Sequence, residues 1–222
     1  MTPGTPEFDA ELERFARFDE FAADAVAGGE ALGLPAEGVV IRPSTGSVTD
    51  GPFTESAEIL GGYYVFEADD LDRALELTAA IPVGDDGVCE VRPLVGEWTP
   101  TADAPAGQQR FLALLHGVPT EADVPHSPAW DAAVDEHGRF EASYGRHVLG
   151  GAALHPAETA TTVRRRDGAP QLTDGPFAET AEVVGGFYVL AARDRDEAIR
   201  VASAIPMGDG AIELRPIVDL EA

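Results

Sequence analysis

The sequence has little cysteine and no lysine. Cys89 is the one cysteine among 222 residues, which excludes an intrachain disulfide and a cysteine-rich zinc site. No run of about 18 or more apolar residues occurs, and the opening stretch MTPGTPEFDAELERF lacks the basic start and apolar core of a signal peptide. We therefore expect a cytoplasmic protein that does not enter a membrane.

Basic residues are few: all 15 are arginines, against 40 Asp and Glu, and the net charge is −25. Nucleic-acid binding needs clustered basic side chains that displace counterions from phosphates. The one dense cluster, Arg164-Arg165-Arg166, adjoins an Asp-Gly turn, as is typical of a solvated strand end. We expect no nucleic-acid partner.

The histidines show no metal-binding spacing, neither HxH nor HExxH. A GxSxG elbow and a GxxxxGK[ST] phosphate loop are also missing from the sequence. We expect no metal and no cofactor. Only His116, at the end of a predicted strand, is retained as a candidate acid or base. The five histidines all fall in the second half of the chain: His116, His126, His137, His147 and His155.

The chain contains an internal repeat. The stretch DGPFTESAEILGGYYVFEADDLDRALELTAAIPVG, which begins at Asp50, matches DGPFAETAEVVGGFYVLAARDRDEAIRVASAIPMG from Asp174 without a gap, at more than half of its positions. CEVRPLV and IELRPIV match shortly afterwards. We predict a first module at residues 1–96, a linker rich in Pro, Gly and Ala at 97–108, and a second module at 109–222.

The second copy predicts a βαββαβ order, the ferredoxin-like unit of the α+β class. The pattern places a strand at Phe111–Leu115 and a helix at Pro128–Ser143, then a strand at Thr159–Arg165 whose Asp167-Gly168 turn leads into a hairpin return. A strand at Gly186–Ala192, a helix capped by Asp194 or Asp196, and a strand at Ile212–Val218 follow.

The first copy predicts αββαβ, without the first strand. Its opening helix carries Phe8, Leu12, Phe15, Phe18, Ala22 and Val26 on one face and is expected to end at Gly28-Gly29. The missing strand is central in a ferredoxin-like sheet, so its loss leaves backbone groups unpaired. We therefore expect that the natural protein starts upstream of Met1, or that another segment fills the slot.

The twice-repeated Asp-Gly-Pro-Phe, each followed by Gly-Gly-(Tyr/Phe)-Tyr and by (Val/Leu)-Arg-Pro, resembles the YCII-related family, specifically its DGPF branch. The resemblance implies ferredoxin-like modules of the dimeric α/β-barrel type, paired within the chain or in a homodimer. It also implies an association with extracytoplasmic-function sigma factors, and a barrel that elsewhere serves isomerases and monooxygenases. Some YCII-like proteins have a proposed His-Asp pair. His137 lies in the first helix of copy two, whereas the matching helix of copy one has no histidine.

Strand alternation gives candidate ligand-binding residues. Glu90 and Arg92 share one strand face and the apolar Cys89 and Val91 the other, and copy two repeats this pattern with Glu213 and Arg215. If the apolar side packs on the helices, the Glu/Arg sets face the partner sheet or solvent. With Tyr64 and Tyr188 they would form a polar pocket for a small anionic or hydroxylated molecule. The alternative is a structural ion pair on each strand.

The Asp-Gly-Pro-Phe turns supply two further candidates. Asp50 and Asp174 are either general bases at the pocket rim or turn formers that bond their own backbone, and the second interpretation is favoured. Phe53 and Phe177 are expected in the core. The carboxylates that follow are expected to be solvated loop charges, with the cleft lining as the alternative: Glu55, Glu58, Glu179 and Glu182.

Three functional hypotheses follow. The leading one is a small-molecule-binding or regulatory module of the YCII/DGPF type that works with a sigma factor. The second is a cofactor-independent enzyme for proton transfer, isomerisation or oxygenation, in which Arg92 or Arg215 holds an anionic substrate. The third is an interaction partner whose barrel is filled by apolar side chains.

Overall fold

The computed structural model describes residues 5–53, 60–84, 87–166, 169–177 and 181–218. Within these ranges the chain is a mixed α+β protein. Its helices are α1 (Pro6–Phe21), α2 (Leu71–Ala80), α3 (Pro128–Tyr144) and α4 (Arg195–Ala202). Its strands are β1 (Val26–Leu32), β2 (Val39–Arg42), β3 (Ser47–Asp50), β4 (Gly62–Phe66), β5 (Val88–Val91), β6 (Gln109–Gly117), β7 (Val148–Ala153), β8 (Thr161–Arg166), β9 (Ala169–Asp174), β10 (Val183–Ala192) and β11 (Ala211–Val218).

Helix starts follow local capping chemistry. Ser127 accepts a hydrogen bond from the backbone N–H of Trp130 at 3.0 Å, and Pro128 occupies the first turn of α3, where its missing N–H costs nothing. Asp70 and Asp194 cap α2 and α4 in the same way, at 2.9 and 2.8 Å. Of the two caps considered for α4, the structure therefore selects Asp194.

The second copy contains a complete ferredoxin-like sheet. Its strands lie in the order β11-β6-β10-β7, all antiparallel to their neighbours, with α3 and α4 as the connections that the split βαβ pattern requires. The strand predicted at Thr159–Arg165 and its hairpin return are confirmed as the pair β8–β9, with Arg166 opposite Ala169. Their predicted place in the unit was wrong, because β7, and not β8, is the second strand of the ferredoxin-like sheet.

The first helix also ends earlier than predicted. α1 stops at Phe21, and Val26–Leu32 forms β1. Two glycines in succession are poor helix formers. In a strand, pairing with neighbouring strands has more influence on the backbone conformation than the propensity of single residues. Ala22 follows the end of α1 but packs in the same apolar cluster as Phe18. The helical spacing of apolar residues in the sequence therefore extends beyond the helix itself.

The two copies exchange their hairpins. In copy one β2 and β3 form an antiparallel pair, and β2 pairs with β11 of copy two, with Ile41 opposite Ile212. The hairpin β8–β9 of copy two pairs with β5 of copy one, with Val163 opposite Cys89. Because Ile41 corresponds to Val163 and Ile212 to Cys89, both exchanges use the same register.

The exchange defines two compact units, each containing segments of both copies. Unit 1 comprises residues 1–29, 64–92 and 158–179, and unit 2 comprises residues 30–63, 93–157 and 180–222. The division falls within β1 and β4. The predicted modules at 1–96 and 109–222 are repeats along the sequence, whereas the two units are sets of residues that pack together.

Each face of the unit 2 sheet has its own apolar cluster. Phe111, Leu190 and Ile212 pack with Phe140 of α3 and Val201 of α4. On the other face the cluster contains Leu32, Leu112, Leu114, Phe187 and Val189. In unit 1, Phe18 of α1 and Leu77 of α2 pack with Tyr64 and Cys89.

Candidate functional site

Three ionisable side chains are buried together in unit 2, on β6 and β11. Strand alternation turns Ile212 and Leu214 toward the helices, so Glu213 and Arg215 point to the opposite face. β6 pairs with β11 and supplies His116. The exposed fractions of His116, Glu213 and Arg215 are 8%, 7% and 1%. We call these three residues the His-Glu-Arg cluster.

Glu213 lies between the other two side chains of this cluster. Its Oε1 is 3.4 Å from Nη1 of Arg215, and its Oε2 is 3.6 Å from Nε2 of His116, which is beyond hydrogen-bond range. Among the described residues, neither His116 Nε2 nor Arg215 Nε has a hydrogen-bond partner. Buried polar nitrogens usually find a partner in the protein or in a bound molecule.

Arg215 is fixed by the loop before β2. Its Nη2 donates to the carbonyl oxygen of Gly33. A Cβ added at Gly38 would lie 2.7 Å from Cδ of Arg215, so only glycine lets the loop approach this closely. In copy two the position of Gly38 is taken by Ala160. The loop of copy one therefore holds the guanidinium in one place.

The carboxyl of Glu213 stays ionised although it is buried. Desolvation alone would raise its pKa, but the neighbouring His116 and Arg215 outweigh burial and hold the pKa of Glu213 below its usual value. With His116 protonated, the three side chains carry one net positive charge, and with His116 neutral they carry none.

The Asp-Gly-Pro-Phe turn of copy one covers this histidine. The ring of Phe53 stacks on the imidazole of His116, with centroids 4.0 Å apart and an interplanar angle of 19°. Arg42 lies against the same phenyl ring, with Cζ 6.0 Å from the centroid. Two hydrogen bonds, of 3.1 and 3.2 Å, tie the Arg42 guanidinium to Glu182 and lower the pKa of that carboxyl.

Unit 1 contains the corresponding Glu/Arg pair in a different arrangement. Arg92 Nη1 is 3.7 Å from Glu90 Oε1, but the Glu90 side chain is 31% exposed. Glu90 also accepts a hydrogen bond of 2.9 Å from the backbone N–H of Phe177, in the turn of copy two. Arg164 lies over the Phe177 ring at 4.7 Å. Among the described residues of unit 1, no histidine lies beside this pair.

The structure does not bring Tyr64 and Tyr188 together with the Glu/Arg faces. Tyr188 belongs to the helix-side cluster of unit 2, where its hydroxyl donates to Glu141 at 3.1 Å. Since that donation uses the only phenol hydrogen, Nδ1 of His137, 3.0 Å away, must donate to the phenol oxygen. Burial and the nearby Glu141 raise the pKa of Tyr188, and burial lowers the pKa of His137. In unit 1, Tyr64 donates to Asp19 at 3.3 Å.

The two turn aspartates lie on exposed strands. The Asp50 side chain is 82% exposed and pairs with Arg195. Asp174 ends the exposed strand β9, opposite Thr161. Gly51 and Gly175, which follow them, have φ of 103° and 98°, as a turn-forming Asp-Gly requires. Glu55, Glu58 and Glu179 lie outside the described residues.

Sequence reasoning missed Arg42 and the role of Phe53, and it expected a solvated loop charge at Glu182, which pairs with Arg42 instead. One signal for Arg42 was available, because Val39-Val40-Ile41-Arg42 aligns with Thr161-Thr162-Val163-Arg164. The contact of Phe53 with His116 follows from the hairpin exchange, which joins residues that no local pattern connects. Phe53 is half-buried, so it is not the core residue that the sequence predicted.

In the described ranges, no group of three or more His, Cys, Asp or Glu side chains is placed to hold a metal ion. No helix in these ranges has the length and apolar character needed to cross a membrane. An open depression of about 260 Å³ in unit 1 contains none of the candidate residues, being lined by Arg14, Arg17, Phe18, Phe21, Ala80 and Pro82.

Comparison with known proteins supports the repeat. The model of the YCII-related domain matches the chain twice, over residues 19–99 and 110–221, consistent with two tandem copies. The uncharacterized protein R00369 of Rhizobium meliloti (strain 1021) is 32% identical over 114 residues, which are 47% of this chain and 92% of that protein. A relative of about one copy's length thus aligns with roughly half of this chain. The chain belongs to the YCII-related family.

Proposed function

We propose that unit 2 binds a small anionic molecule at the His-Glu-Arg cluster. The observation that carries this proposal is the pair of buried nitrogens, His116 Nε2 and Arg215 Nε, that lack a hydrogen-bond partner among the described residues. Leaving such groups unpaired costs about 1–3 kcal/mol each, more when they are charged. A ligand oxygen that accepts from them recovers that free energy.

The charge of the cluster favours an anion. Arg215 and Glu213 cancel, and protonation of His116 leaves one positive charge in a buried setting where Coulomb interactions are weakly screened. The proposal gives the Glu/Arg pair of unit 2 a role beyond a structural ion pair.

The test is NMR of the protein labelled with ¹⁵N in its histidine rings, titrated with acetate and, separately, with inorganic phosphate. We expect saturable shifts of the His116 ring signals with at least one of these anions. The variant His116→Gln identifies those signals and should bind the anion more weakly. Unchanged His116 signals in the presence of both anions would refute the proposal.

His137→Phe is the matched control. His137 contacts Tyr188 on the helix-facing side of the sheet, and copy one carries Phe15 at the corresponding position, so a phenyl ring is compatible with the fold. This variant should bind the anion as the wild type does. Loss of binding in His137→Phe would place the site on the helix side instead.

A second candidate function is cofactor-independent proton transfer by His116. The observation that favours it is the ionised Glu213 beside the imidazole, because a fixed carboxylate stabilises the imidazolium that forms when histidine accepts a proton. His116 would take a proton from carbon next to a carbonyl, leaving an enolate, and return it to the same or another carbon.

Deuterium exchange tests this activity. Pyruvate in D₂O serves as the probe, since a base that removes its methyl proton allows a deuteron to replace it. The wild type should accelerate incorporation over buffer, and His116→Gln should abolish the acceleration while His137→Phe retains it. Equal rates for wild type and His116→Gln would exclude His116 as the base for this probe.

The regulatory alternative is a separate prediction. The resemblance implies a partnership with an extracytoplasmic-function sigma factor, and pull-down of a purified sigma factor by the full chain would test it. Pairing of the modules within one chain or in a homodimer also stays a prediction, which the mass of the protein in solution would decide.

A further inference from the structure

The aromatic ring over the His-Glu-Arg cluster belongs to the protein itself. Phe53 lies against two planar groups, the His116 imidazole at 4.0 Å and the Arg42 guanidinium at 6.0 Å. Glu182 holds Arg42 by two hydrogen bonds, and β6 holds His116, so both partners of the ring are anchored independently of Phe53. The arrangement is a preformed site for one flat ring.

Phe53 is not required in that position by core packing. It is half-buried, it follows the exposed end of β3, and it lies next to Pro52 and the left-handed Gly51. In unit 1 the equivalent Phe177 is held by the hydrogen bond from its own N–H to Glu90, at 2.9 Å. In unit 2 the equivalent carboxylate, Glu213, faces His116 and Arg215 instead. The two turns therefore differ in what their phenyl rings and strand carboxylates do.

We infer that Phe53 occupies the place of a ligand ring, and that the small anion of unit 2 is a planar aromatic carboxylate. This inference rests on the proposed function and names its ligand class. The ligand ring would replace Phe53 against His116 and Arg42, and its carboxylate would be drawn to Arg215 and protonated His116. Phe53 covers the cluster in the absence of ligand and competes with ligand for the same place.

The experiment compares three carboxylates by the ring signals of His116: benzoate, cyclohexanecarboxylate and acetate. Benzoate and cyclohexanecarboxylate have similar size, but only benzoate has a flat π-system. We expect wild type to bind benzoate about threefold to tenfold more tightly than cyclohexanecarboxylate, the range that aromatic stacking supplies. Equal affinities for these two acids would overturn the inference.

Phe53→Ala provides the second test. Removal of the competing ring should tighten benzoate binding by at least about threefold, because the binding-competent state no longer has to displace Phe53. Phe53→Leu, which keeps an apolar side chain but no flat ring, should tighten it as well. Fluorescence of Trp98 and Trp130, both in unit 2, verifies that each variant is folded. Weaker or unchanged benzoate binding in both folded variants contradicts the inference.

Phe177→Ala is the matched control, because unit 1 has the same turn but no histidine under it. It should leave benzoate binding unchanged, and an equal gain in Phe177→Ala would refute the assignment to Phe53. Failure of the proposed function looks different: no carboxylate would then shift His116 in wild type or in Phe53→Ala. If acetate binds but benzoate has no advantage, only the inference fails.

Discussion

The two units use the same strand sequence, Glu-x-Arg-Pro, for different purposes. In unit 1, Glu90 is partly exposed and accepts a hydrogen bond from the Phe177 backbone, so it fastens the Asp-Gly-Pro-Phe turn. In unit 2, Glu213 is buried and faces His116 and Arg215. The difference accompanies β6, which places His116 beside Glu213, whereas the described residues of unit 1 include no histidine.

This comparison shows that two copies of one strand sequence place their Glu/Arg pairs in different surroundings. The hairpins are exchanged in the same register in both directions, so the backbone around the two Glu/Arg pairs is alike. Three of the differences are His116, Gly38 where copy two has Ala160, and the contacts of Glu213 and Glu90. The first two can be removed by substitution.

The largest expected effect is that of Arg215→Met. Removing the guanidinium takes away a permanently charged partner of the buried Glu213, so we expect unit 2 to lose about 3–5 kcal/mol of its free energy of unfolding. Urea unfolding followed by tryptophan fluorescence measures this loss, because both tryptophans lie in unit 2.

Arg92→Met is the counterpart in unit 1. Since Glu90 reaches solvent, we expect a loss of only about 1–2 kcal/mol by circular dichroism. Equal losses would contradict the comparison.

Glu213→Gln should have the next largest effect, and it should depend on pH. The depressed pKa of Glu213 means that its ionised form stabilises the fold above the unfolded-state pKa of about 4.3, and that this contribution is lost as pH falls through the lower folded-state value. At pH 7 we expect Glu213→Gln to be less stable than wild type by roughly 2 kcal/mol. This difference in the free energy of unfolding should disappear below about pH 4. Urea unfolding of both proteins at pH 7 and below pH 4 would measure it. A gap that is constant with pH would show that the carboxyl has an ordinary pKa.

Gly38→Ala tests the close approach of the loop to Arg215. The added Cβ would lie 2.7 Å from Cδ of Arg215, so the loop or the guanidinium must shift, and we expect a loss of about 1.5 kcal/mol. Thermal unfolding and anion binding should both be affected. The reverse substitution in unit 1, Ala160→Gly, removes one buried methyl and should leave binding intact. Normal anion binding by Gly38→Ala would mean that the exact place of Arg215 is unimportant.

The smallest effects are expected at the helix caps, where the two units are alike. Asp70→Ala in unit 1 and Asp194→Ala in unit 2 each remove a hydrogen bond to a first-turn N–H, at a cost of about 1 kcal/mol. Thermal unfolding by circular dichroism should show similar losses. A much larger loss in one variant would indicate that the units differ in overall stability rather than in the site alone.

The fold was largely predictable because the repeat and the strand alternation are local patterns. The ferredoxin-like order, the cap of α4 and the face shared by Glu213 and Arg215 follow from spacing. The second strand of each copy was not recognised, although Val26-x-Gly28-Gly29-x-Ala31-Leu32 recurs from Val148 to Leu154. The adjacent glycines of copy one were interpreted as the end of a helix, and only their position in the folded sheet shows that they belong to a strand.

The site was predictable only in part. The sequence selected the Glu213 and Arg215 pair and, independently, His116, but nothing local indicated that β6 and β11 would place them side by side. The position of Tyr188 shows the limit of alternation, since the face of β10 on which it lies depends on register. The contacts of Phe53 and Gly33 depend on hairpin exchange, which is a property of the tertiary fold.

The most direct measurement is native mass spectrometry of the protein purified gently from its own host, with His116→Gln and Arg92→Gln prepared in parallel. The central claim is that unit 2, and not unit 1, holds a small anion. It predicts a retained small molecule in wild type and in Arg92→Gln that is missing from His116→Gln. A bare wild-type chain, or a molecule lost from Arg92→Gln but kept by His116→Gln, would contradict it.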